Sequence, residues 1–201
     1  MTDTPNDSNE WDESADGWDG DEATQAYAAA AFASLIALVE PDTLRGMSVL
    51  DFGCGTGLLI EHLVENGVAR VHGVDTSSAM LAVLDAKIAD RGWTNVETSG
   101  VSPSDRGSFD LVVCSSVLAF VEDHPATVAA LVGLLKPGGR FVQWDWERVE
   151  GDQHGLSRTE ITDALDDAGL VDIMVDVAFE AEAYGQIMRP LIGAGRRSSN
   201  R

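Results

Sequence analysis

Residues 49–59 read VLDFGCGTGLL, and this stretch decides the fold. It begins as a short apolar strand, continues through an acid, and ends in three glycines at alternate positions, Gly53, Gly55 and Gly57. Glycine permits positive φ angles and a close approach of the backbone to a ligand. A glycine loop directly after a strand is therefore a candidate ligand-binding loop, and its spacing and charge indicate which ligand it accepts.

Strand and helix patterns alternate along the chain. Short apolar runs predict strands at 48–52, 70–74, 95–98, 109–114 and 140–146. Helical patterns predict helices at 23–40, 57–66, 77–90, 125–135 and 157–168, and a turn at 136–139. Such alternation is typical of βαβ units around a mostly parallel sheet. Two last strands, 170–177 and 186–193, predict a hairpin and hence one antiparallel strand.

The length of 201 residues suits one substantial domain. We expect residues 23–201 to form it, because the pattern shows no internal repeat and no second core. Residues 1–22 are an acidic N-terminal segment without Lys or Arg, and we expect about the first ten residues to be disordered. Disordered tails rarely contain tryptophan, so we expect Trp11 and Trp18 to dock on the rest of the molecule.

The formal net charge is −21, which repels nucleic acid and anionic lipid and argues against both as partners. The sequence has no run of 18 apolar residues and no signal-peptide pattern at its start, so we predict a cytoplasmic protein. Cys54 and Cys114 lie far apart and lack metal-ligand spacing. We therefore expect neither a disulfide framework nor a zinc site.

The glycine loop differs from a dinucleotide fingerprint in both spacing and charge. That fingerprint needs a third glycine three residues after the second, whereas Gly57 follows Gly55 by two. Asp51 at the strand end repels a pyrophosphate and favours an ammonium or sulfonium. Asp75 ends the next strand, where an acid binds ribose hydroxyls. The two acids together fit a positively charged nucleoside such as S-adenosylmethionine (SAM), although Asp51 also suits capping of the loop amides and Asp75 capping of the helix at Ser77.

Several motifs in order resemble those of the class I, Rossmann-like, SAM-dependent methyltransferases, and they cover most of the chain. The resembling stretches are WDESADGWD (11–19), VLDFGCGTG (49–57), GVDTSSAML (73–81), SFDLVVCSSVLAFVED (108–123), LLKPGGRFV (134–142) and LSRTEITDALDDAGL (156–170). The resemblance implies a three-layer αβα sandwich. Its seven-stranded sheet would have the order 3-2-1-4-5-7-6, with strand 7 antiparallel.

The resemblance also implies a set of cofactor-binding residues for SAM and its product S-adenosylhomocysteine (SAH). They are Asp51, Gly53, Cys54, Gly55, Gly57 and Ser115 around the methionine part, Asp75 on the ribose, Thr76 and Met80 near the adenine, and Trp18 over the site. At one place the chain departs from the family pattern, which has Gly-Asp after strand 3, the acid reading the adenine amino group. Here Thr98-Ser-Gly-Val101 has no acid, so we expect Gly100 and Val101 backbone groups, or Ser99, to replace it, with Asp105 a weaker alternative.

The methyl acceptor is predicted to be a small molecule. The chain has no room for an inserted substrate domain, its acidity argues against nucleic acid, and it lacks the N/D-P-P-Y/F motif of the enzymes that methylate the amino groups of adenine, cytosine or glutamine amides. Acceptor-side candidates are Trp18, Tyr27, His124, Trp144, Trp146, Glu147 and His154. Of these, His154 is the candidate catalytic base. Trp144 and Trp146 share one strand face, as an acceptor wall or as core, and His62 and His72 are interpreted as structural.

Two other functions remain open from the sequence: a non-catalytic SAM-binding or interaction module that keeps the fold, and a dinucleotide-dependent oxidoreductase. The complete glycine motif and Asp75 favour SAM binding, but binding alone does not establish turnover. No metal is expected, and the oligomeric state is predicted to be a monomer or a homodimer.

Overall fold

The computed structural model describes residues 7–148, 155–183 and 186–199. A seven-stranded sheet runs through its centre in the order β3-β2-β1-β4-β5-β9-β6, and β7 and β8 form a separate two-stranded ribbon. The strands are β1 (Ser48–Phe52), β2 (Arg70–Val74), β3 (Val96–Ser99), β4 (Phe109–Ser115), β5 (Leu135–Trp146), β6 (Leu170–Val177), β7 (Ala181–Ala183), β8 (Gln186–Met188) and β9 (Pro190–Arg197). Strands β1 to β5 pair in parallel, and β9 lies antiparallel between β5 and β6.

Helices cover both faces of the sheet, which gives the predicted three layers. The helices are α1 (Asp7–Trp18), α2 (Glu22–Leu38), α3 (Pro41–Leu44), α4 (Leu58–Glu65), α5 (Ser78–Arg91), α6 (His124–Leu134) and α7 (Arg158–Asp167), with a short 3-10 turn at Leu118–Phe120. One apolar core lies between the sheet and α2, α4 and α5, and a second lies between the sheet and α6 and α7. Strand β1 contributes Val49 to the first core and Leu50 to the second. Because both of its faces are covered, its sequence is apolar at successive positions.

Local signals in the sequence begin and end the helices. The Ser77 hydroxyl accepts a hydrogen bond from the Met80 amide at the start of α5, and Gly92 ends that helix in the left-handed conformation. Ser157 and Glu160 form a capping box at the start of α7. These caps satisfy backbone groups that helix ends leave unpaired, and they place the loops after β2 and β5.

The sheet confirms the predicted strand order and its antiparallel strand. Strands β1, β2 and β6 have the predicted bounds. Two local predictions are wrong: residues 136–139 belong to β5 although Gly138 has a φ of +82°, and the strand predicted at 186–193 is divided into β8 and β9. Strand β8 is extended because it pairs with β7, and β9 is extended because it pairs with β5; no local sequence pattern separates the two.

The N-terminal segment is also more ordered than its composition predicts. Residues 7–18 form α1, which overlaps the stretch predicted to be disordered, and residues 1–6 lie outside the described residues. The helix has no basic residue in its last turn, so its own sequence gives it little support. Contacts with the rest of the molecule, described below, stabilise it instead.

The connection from β3 to β4 contains no helix, and residues 100–108 cross the α6 face as a loop. A cavity of about 530 Å³ lies beneath it, between Phe52, the loop residues Ser102–Ser104 and the α6 residues Ala126 and Ala130. Among the described residues, no helix is long and apolar enough to cross a membrane.

Candidate cofactor site

The glycine loop connects β1 to α4 at the carboxyl edge of the sheet, where open α/β sheets bind ligands. Its amide groups already have acceptors within the protein. The amides of Gly53 and Cys54 donate to the carbonyl of Val74 at 2.7 and 3.0 Å, and the Gly57 amide donates to the Cys54 carbonyl at 2.9 Å. A phosphate cradle needs free amides that point at the ligand. This loop is therefore unlike a phosphate cradle.

The three glycines of the loop differ in what surrounds them. All three have positive φ, at +75°, +53° and +85° for Gly53, Gly55 and Gly57. A Cβ atom on Gly53 would lie 2.5 Å from Val117, and one on Gly57 would lie 2.5 Å from Leu84. A Cβ atom on Gly55 would meet nothing closer than the Met80 sulfur at 4.0 Å. Only Gly55 therefore faces open space, whereas the other two glycines admit neighbouring side chains.

Asp51 lies beneath this loop and is 1% exposed. Neither of its carboxylate oxygens has a hydrogen-bond partner among the described residues. Burial, with a further contribution from the nearby Asp75, raises the pKa of Asp51 to about 7. A buried, unpaired carboxylate is costly unless a cation or a donor accompanies it. Capping of the loop amides, the alternative role, is absent here, so the group is available to a ligand.

Asp75 follows β2 and lies beside the same loop. One carboxylate oxygen accepts from the Gly55 amide at 2.8 Å, and the other accepts from the Ser77 amide at 2.9 Å. Each carboxylate oxygen can accept more than one hydrogen bond, so Asp75 retains capacity for two ribose hydroxyls. Ser77 rather than Asp75 caps α5, so the helix-capping alternative for Asp75 is wrong.

The remaining predicted cofactor residues lie around these two acids at different depths. Met80 is 2% exposed and Thr76 is exposed, while Val101, in the loop directly after β3, is 75% exposed. The Cys54 side chain points into the core, because a Cβ atom on Gly73 would lie 3.0 Å from its sulfur. Contact of these residues with a cofactor stays a prediction, and for Cys54 it would involve the backbone.

Helix α1 lies across the carboxyl edge of three neighbouring strands. Asp12 accepts from the Ser77 hydroxyl at 2.5 Å and from the Ala79 amide at 3.2 Å, after β2. The ring of Trp11 contacts Phe120, after β4, with centroids 5.5 Å apart. Trp18 packs on Trp11 at 6.0 Å. The helix therefore covers the glycine loop, and Asp12 is a contact that the sequence interpretation missed.

Asp19, directly after α1, is the second missed residue. It accepts from the Thr56 hydroxyl at 2.6 Å and pairs with Lys87 at 2.6 Å. The pair joins the N-terminal segment to both the glycine loop and α5. The repeated Trp-Asp dipeptide at 11–12 and 18–19 was the sequence signal that could have indicated both contacts. Each tryptophan packs in the aromatic contact described above, and each following aspartate binds the loop after β1 or β2.

We expect Asp19→Asn to increase amide hydrogen exchange in α1 by about tenfold, because a charged hydrogen bond is worth about 1.5–3 kcal/mol. Hydrogen-exchange mass spectrometry of the α1 peptide measures this opening. Asp16→Asn is the matched control, since Asp16 is an exposed acid on the same helix. Equal exchange in the wild type and Asp19→Asn would show that Asp19 does not hold α1 in place.

An aromatic cluster of Tyr27, Trp146 and Phe179 lies on the other side of the site, after β5 and β6. The Tyr27 ring is 5.1 Å from Trp146 and 5.2 Å from Phe179. The Tyr27 and Ser116 hydroxyls are 2.7 Å apart, and Ser116, which follows Ser115, has a φ of +55°. Strain of this kind in a non-glycine residue is typical of functional sites. Burial raises the pKa of Tyr27, so the phenol stays neutral.

Of the other acceptor-side candidates, Trp144 is core: it is fully buried, and its indole donates to the Ser34 hydroxyl at 2.8 Å. Glu147 pairs with Arg158 at 3.3 Å. His124 begins α6 and is 9% exposed, and burial lowers its pKa. The candidate base His154 lies outside the described residues. Among the described residues, no group of three or more His, Cys, Asp or Glu could hold a metal ion.

Asp145 near the end of β5 is a further buried acid that the sequence interpretation did not select. It is 0% exposed and accepts from the Ala119 amide and from Gln143, each at 3.0 Å. Burial raises its pKa to about 7. Its hydrogen bond to the Ala119 amide fixes the turn after β4.

The sheet order with its antiparallel β9 is that of the class I methyltransferase fold. In residues 50–143, just under half of its length, the chain matches the family described as "Methyltransferase domain". It is similar to the magnesium protoporphyrin IX methyltransferase of Synechocystis PCC 6803 with bound SAH, with a TM-score of 0.70 and 21% identity over 88% of this chain and 85% of that chain.

A curated relative is a ubiquinone biosynthesis O-methyltransferase of Ralstonia nicotianae, which is 36% identical over 100 residues. The match covers 48% of this chain and 42% of the relative, so the chain spans less than half of the length of the relatives it matches. A structure of Haemonchus contortus phosphoethanolamine N-methyltransferase 2 in complex with SAM is also similar, with a TM-score of 0.71 and 17% identity over 84% of this chain and 52% of that chain.

Proposed function

We propose that the protein transfers a methyl group from SAM to a small-molecule acceptor. The observation that carries this proposal is the buried Asp51 carboxylate, which has no partner among the described residues and lies under the loop that opens at Gly55. A ligand that brings a cation to this point repays the cost of burying the acid. SAM carries an ammonium and a sulfonium, and its ribose matches the remaining acceptor capacity of Asp75.

The same geometry argues against a dinucleotide. A pyrophosphate would have to approach Asp51 and Asp75, two carboxylates, at a loop whose amides at residues 53, 54, 55 and 57 already donate within the protein. Like charges at such close range cost several kcal/mol in a low-dielectric site. The oxidoreductase alternative therefore lacks an anion site.

The proposed roles of the chain follow from these contacts. When bound, SAM supplies an electrophilic methyl group on a good leaving group. Asp51 accepts the ammonium, Asp75 accepts the ribose hydroxyls, and Gly55 provides clearance for the methionine part. Helix α1 excludes water from the cleft. Alignment of this kind is the main contribution that an in-line displacement requires of the protein.

The acceptor is proposed to lie against the aromatic cluster of Tyr27, Trp146 and Phe179. This cluster lies outside residues 50–143, which carry the family match. The residues proposed to contact the acceptor are therefore not part of the matched segment. The name of the curated relative, an O-methyltransferase of ubiquinone biosynthesis, supports a small molecule. We also propose a cytoplasmic protein without a nucleic-acid partner, a view that the net charge of −21 supports, acting as a monomer or a homodimer.

Calorimetric titration with SAH, SAM and NADH tests the cofactor. Binding of the two sulfur nucleosides and not of NADH is expected, and the reverse would exclude the proposal. Release of SAH in the presence of a panel of phenols, amines and thiols then separates a methyltransferase from a non-catalytic module. Binding without release for any acceptor class would favour the module.

We expect Asp75→Ala to weaken SAH binding by about 10- to 150-fold, because hydrogen bonds from two ribose hydroxyls to a charged acceptor are lost, at about 1.5–3 kcal/mol. Calorimetry measures the affinity, and Asp90→Ala, which removes an exposed acid from the same α5 region, is the matched control. An unchanged affinity for Asp75→Ala would contradict the ribose assignment.

A further inference from the structure

The loop after β3 lacks the acid that would accept a hydrogen bond from the adenine amino group, and the structure shows which residue takes its place. Val101 occupies the position of the acid, and its side chain is 75% exposed. An exposed valine cannot accept a hydrogen bond, so an acceptor for the amino group must come from the backbone or from a neighbour.

Two linked side-chain hydrogen bonds fix the backbone at this point. The Ser99 hydroxyl donates to the Val101 carbonyl at 2.7 Å. The Nε2 atom of His72 in β2 is 2.7 Å from the same hydroxyl. Since the hydroxyl proton goes to Val101, the imidazole with its proton on Nε2 donates to Ser99. Burial, together with Arg70, lowers the pKa of His72 although Glu97 opposes them, so a neutral ring fits this assignment.

The network lies one strand beyond the ribose acid. The amide of Asp75 donates to the carbonyl of Ser99 at 3.3 Å, which joins the two loops. Asp51 lies at the end of β1, Asp75 directly after β2, and Ser99 at the end of β3. These three strands are neighbours in the sheet. A nucleoside with its amino-acid part at β1 and its ribose at β2 therefore places its base at the end of β3.

We propose that Ser99, held by His72, is a positioning residue for adenine: it orients the Val101 carbonyl so that the free lone pair of this carbonyl accepts the adenine amino group. The proposal rests on the proposed function, because it requires an adenosyl cofactor. His72, interpreted from the sequence as structural, acquires a role in recognition of the base. A carbonyl has two lone pairs, and Ser99 occupies one of them.

The proposal predicts discrimination between bases. Adenine presents an amino donor, whereas hypoxanthine presents a carbonyl at the same position and would oppose the Val101 carbonyl. We expect the wild type to bind SAH about tenfold or more tightly than S-inosylhomocysteine, as expected for one hydrogen bond against one unpaired acceptor.

Calorimetric titration of both nucleosides into four variants tests the roles of the residues. Ser99→Ala should reduce the preference for SAH to about threefold or less, while Ser99→Thr, which keeps the hydroxyl, should retain it. Adding Val101→Asp to Ser99→Ala should restore the preference, because a carboxylate then accepts the amino group. Thr98→Ala is the matched control, since that hydroxyl donates instead to Asp85 at 2.7 Å, and it should leave the ratio unchanged.

The ratio of the two affinities separates recognition from folding. If Ser99→Ala lowers both affinities equally, Ser99 is structural and the proposal is overturned. If the wild type binds SAH well and S-inosylhomocysteine equally well, the proposal fails while the proposed function stands. If the wild type binds neither nucleoside, the proposed function fails and this inference with it.

Discussion

Asp51→Asn should weaken SAH binding by about 100-fold or more and at the same time stabilise the protein without cofactor by about 1–3 kcal/mol at pH 8. The loss of affinity follows because the ligand's ammonium would lose its buried counter-charge, and removal of one partner from a buried ion pair costs about 3–5 kcal/mol. The gain in stability follows because the unpaired carboxylate is costly in the empty site. Calorimetry and urea unfolding at pH 8 measure the two effects.

The pH dependence provides a sharper form of this prediction. Burial raises the pKa of Asp51 from 3.8 to about 7. Between these values the folded protein holds a proton that the unfolded chain has released. The free energy of unfolding therefore decreases as the pH rises from about 4 to 7, and Asp51→Asn should remove part of this decrease.

The affinity for SAH should depend on pH in the opposite direction to the free energy of unfolding. Below about pH 7 the bound ammonium must displace a proton from Asp51, so the affinity of the wild type for SAH should decrease by up to about tenfold per pH unit on acidification. In Asp51→Asn this contribution to the pH dependence should be absent. Asp145→Asn is the matched control: Asp145 is equally buried with a pKa near 7, so the change should reduce the stability slope without the loss of affinity. Equal losses of affinity in the two variants would contradict the role of Asp51.

Gly53→Ala should lower the free energy of unfolding by about 2–5 kcal/mol. The new Cβ atom would lie 2.5 Å from Val117 at a φ of +75°, so it adds overpacking of about 1–3 kcal/mol to a left-handed backbone cost of about 1–2 kcal/mol. Gly55→Ala should cost only the backbone contribution, because its Cβ atom meets open space. The same Cβ atom projects into the proposed cofactor position, so Gly55→Ala should weaken SAH binding more than it destabilises the protein.

Urea unfolding and SAH titration of both variants separate these two effects. Val117→Gly combined with Gly53→Ala should recover stability relative to the sum of the two single changes, because the Val117 Cβ atom itself lies 2.5 Å from the new atom and only its removal relieves the contact. No recovery would mean that the backbone conformation, rather than Val117, requires glycine at this position.

Much of the fold was predictable because its local signals agree with the tertiary structure. Strand β1 is apolar on both faces, the glycine loop after it is required by backbone geometry, and caps such as Ser157 with Glu160 mark helix ends. Asp51 and Asp75 were predictable as a site because each ends a recognisable strand, and parallel strands end at the same edge. The predicted roles of the cofactor residues remain predictions.

The missed features depend on contacts between segments far apart in the chain. No helix was predicted at 7–18 because the segment is polar, and the support of α1 comes from Ser77, Thr56 and Phe120, which lie more than 35 residues away. The ribbon of β7 and β8 likewise exists through pairing alone. Local propensity contains no information about such partners.

The sequence by itself predicted the fold class, because the alternation of strands and helices, the glycine loop and the paired acids are local patterns of residue type, and the strand order followed from the resemblance that these patterns carry. Only the tertiary structure decided what each residue does within them. It showed that the amides of residues 53, 54, 55 and 57 already have acceptors, that Gly53 and Gly57 serve packing whereas Gly55 does not, and that Val101, whose carbonyl accepts from Ser99, lies where an acid was expected. The physical reason is that hydrogen-bond partners and free volume depend on atoms brought together by folding, which no spacing along the chain specifies.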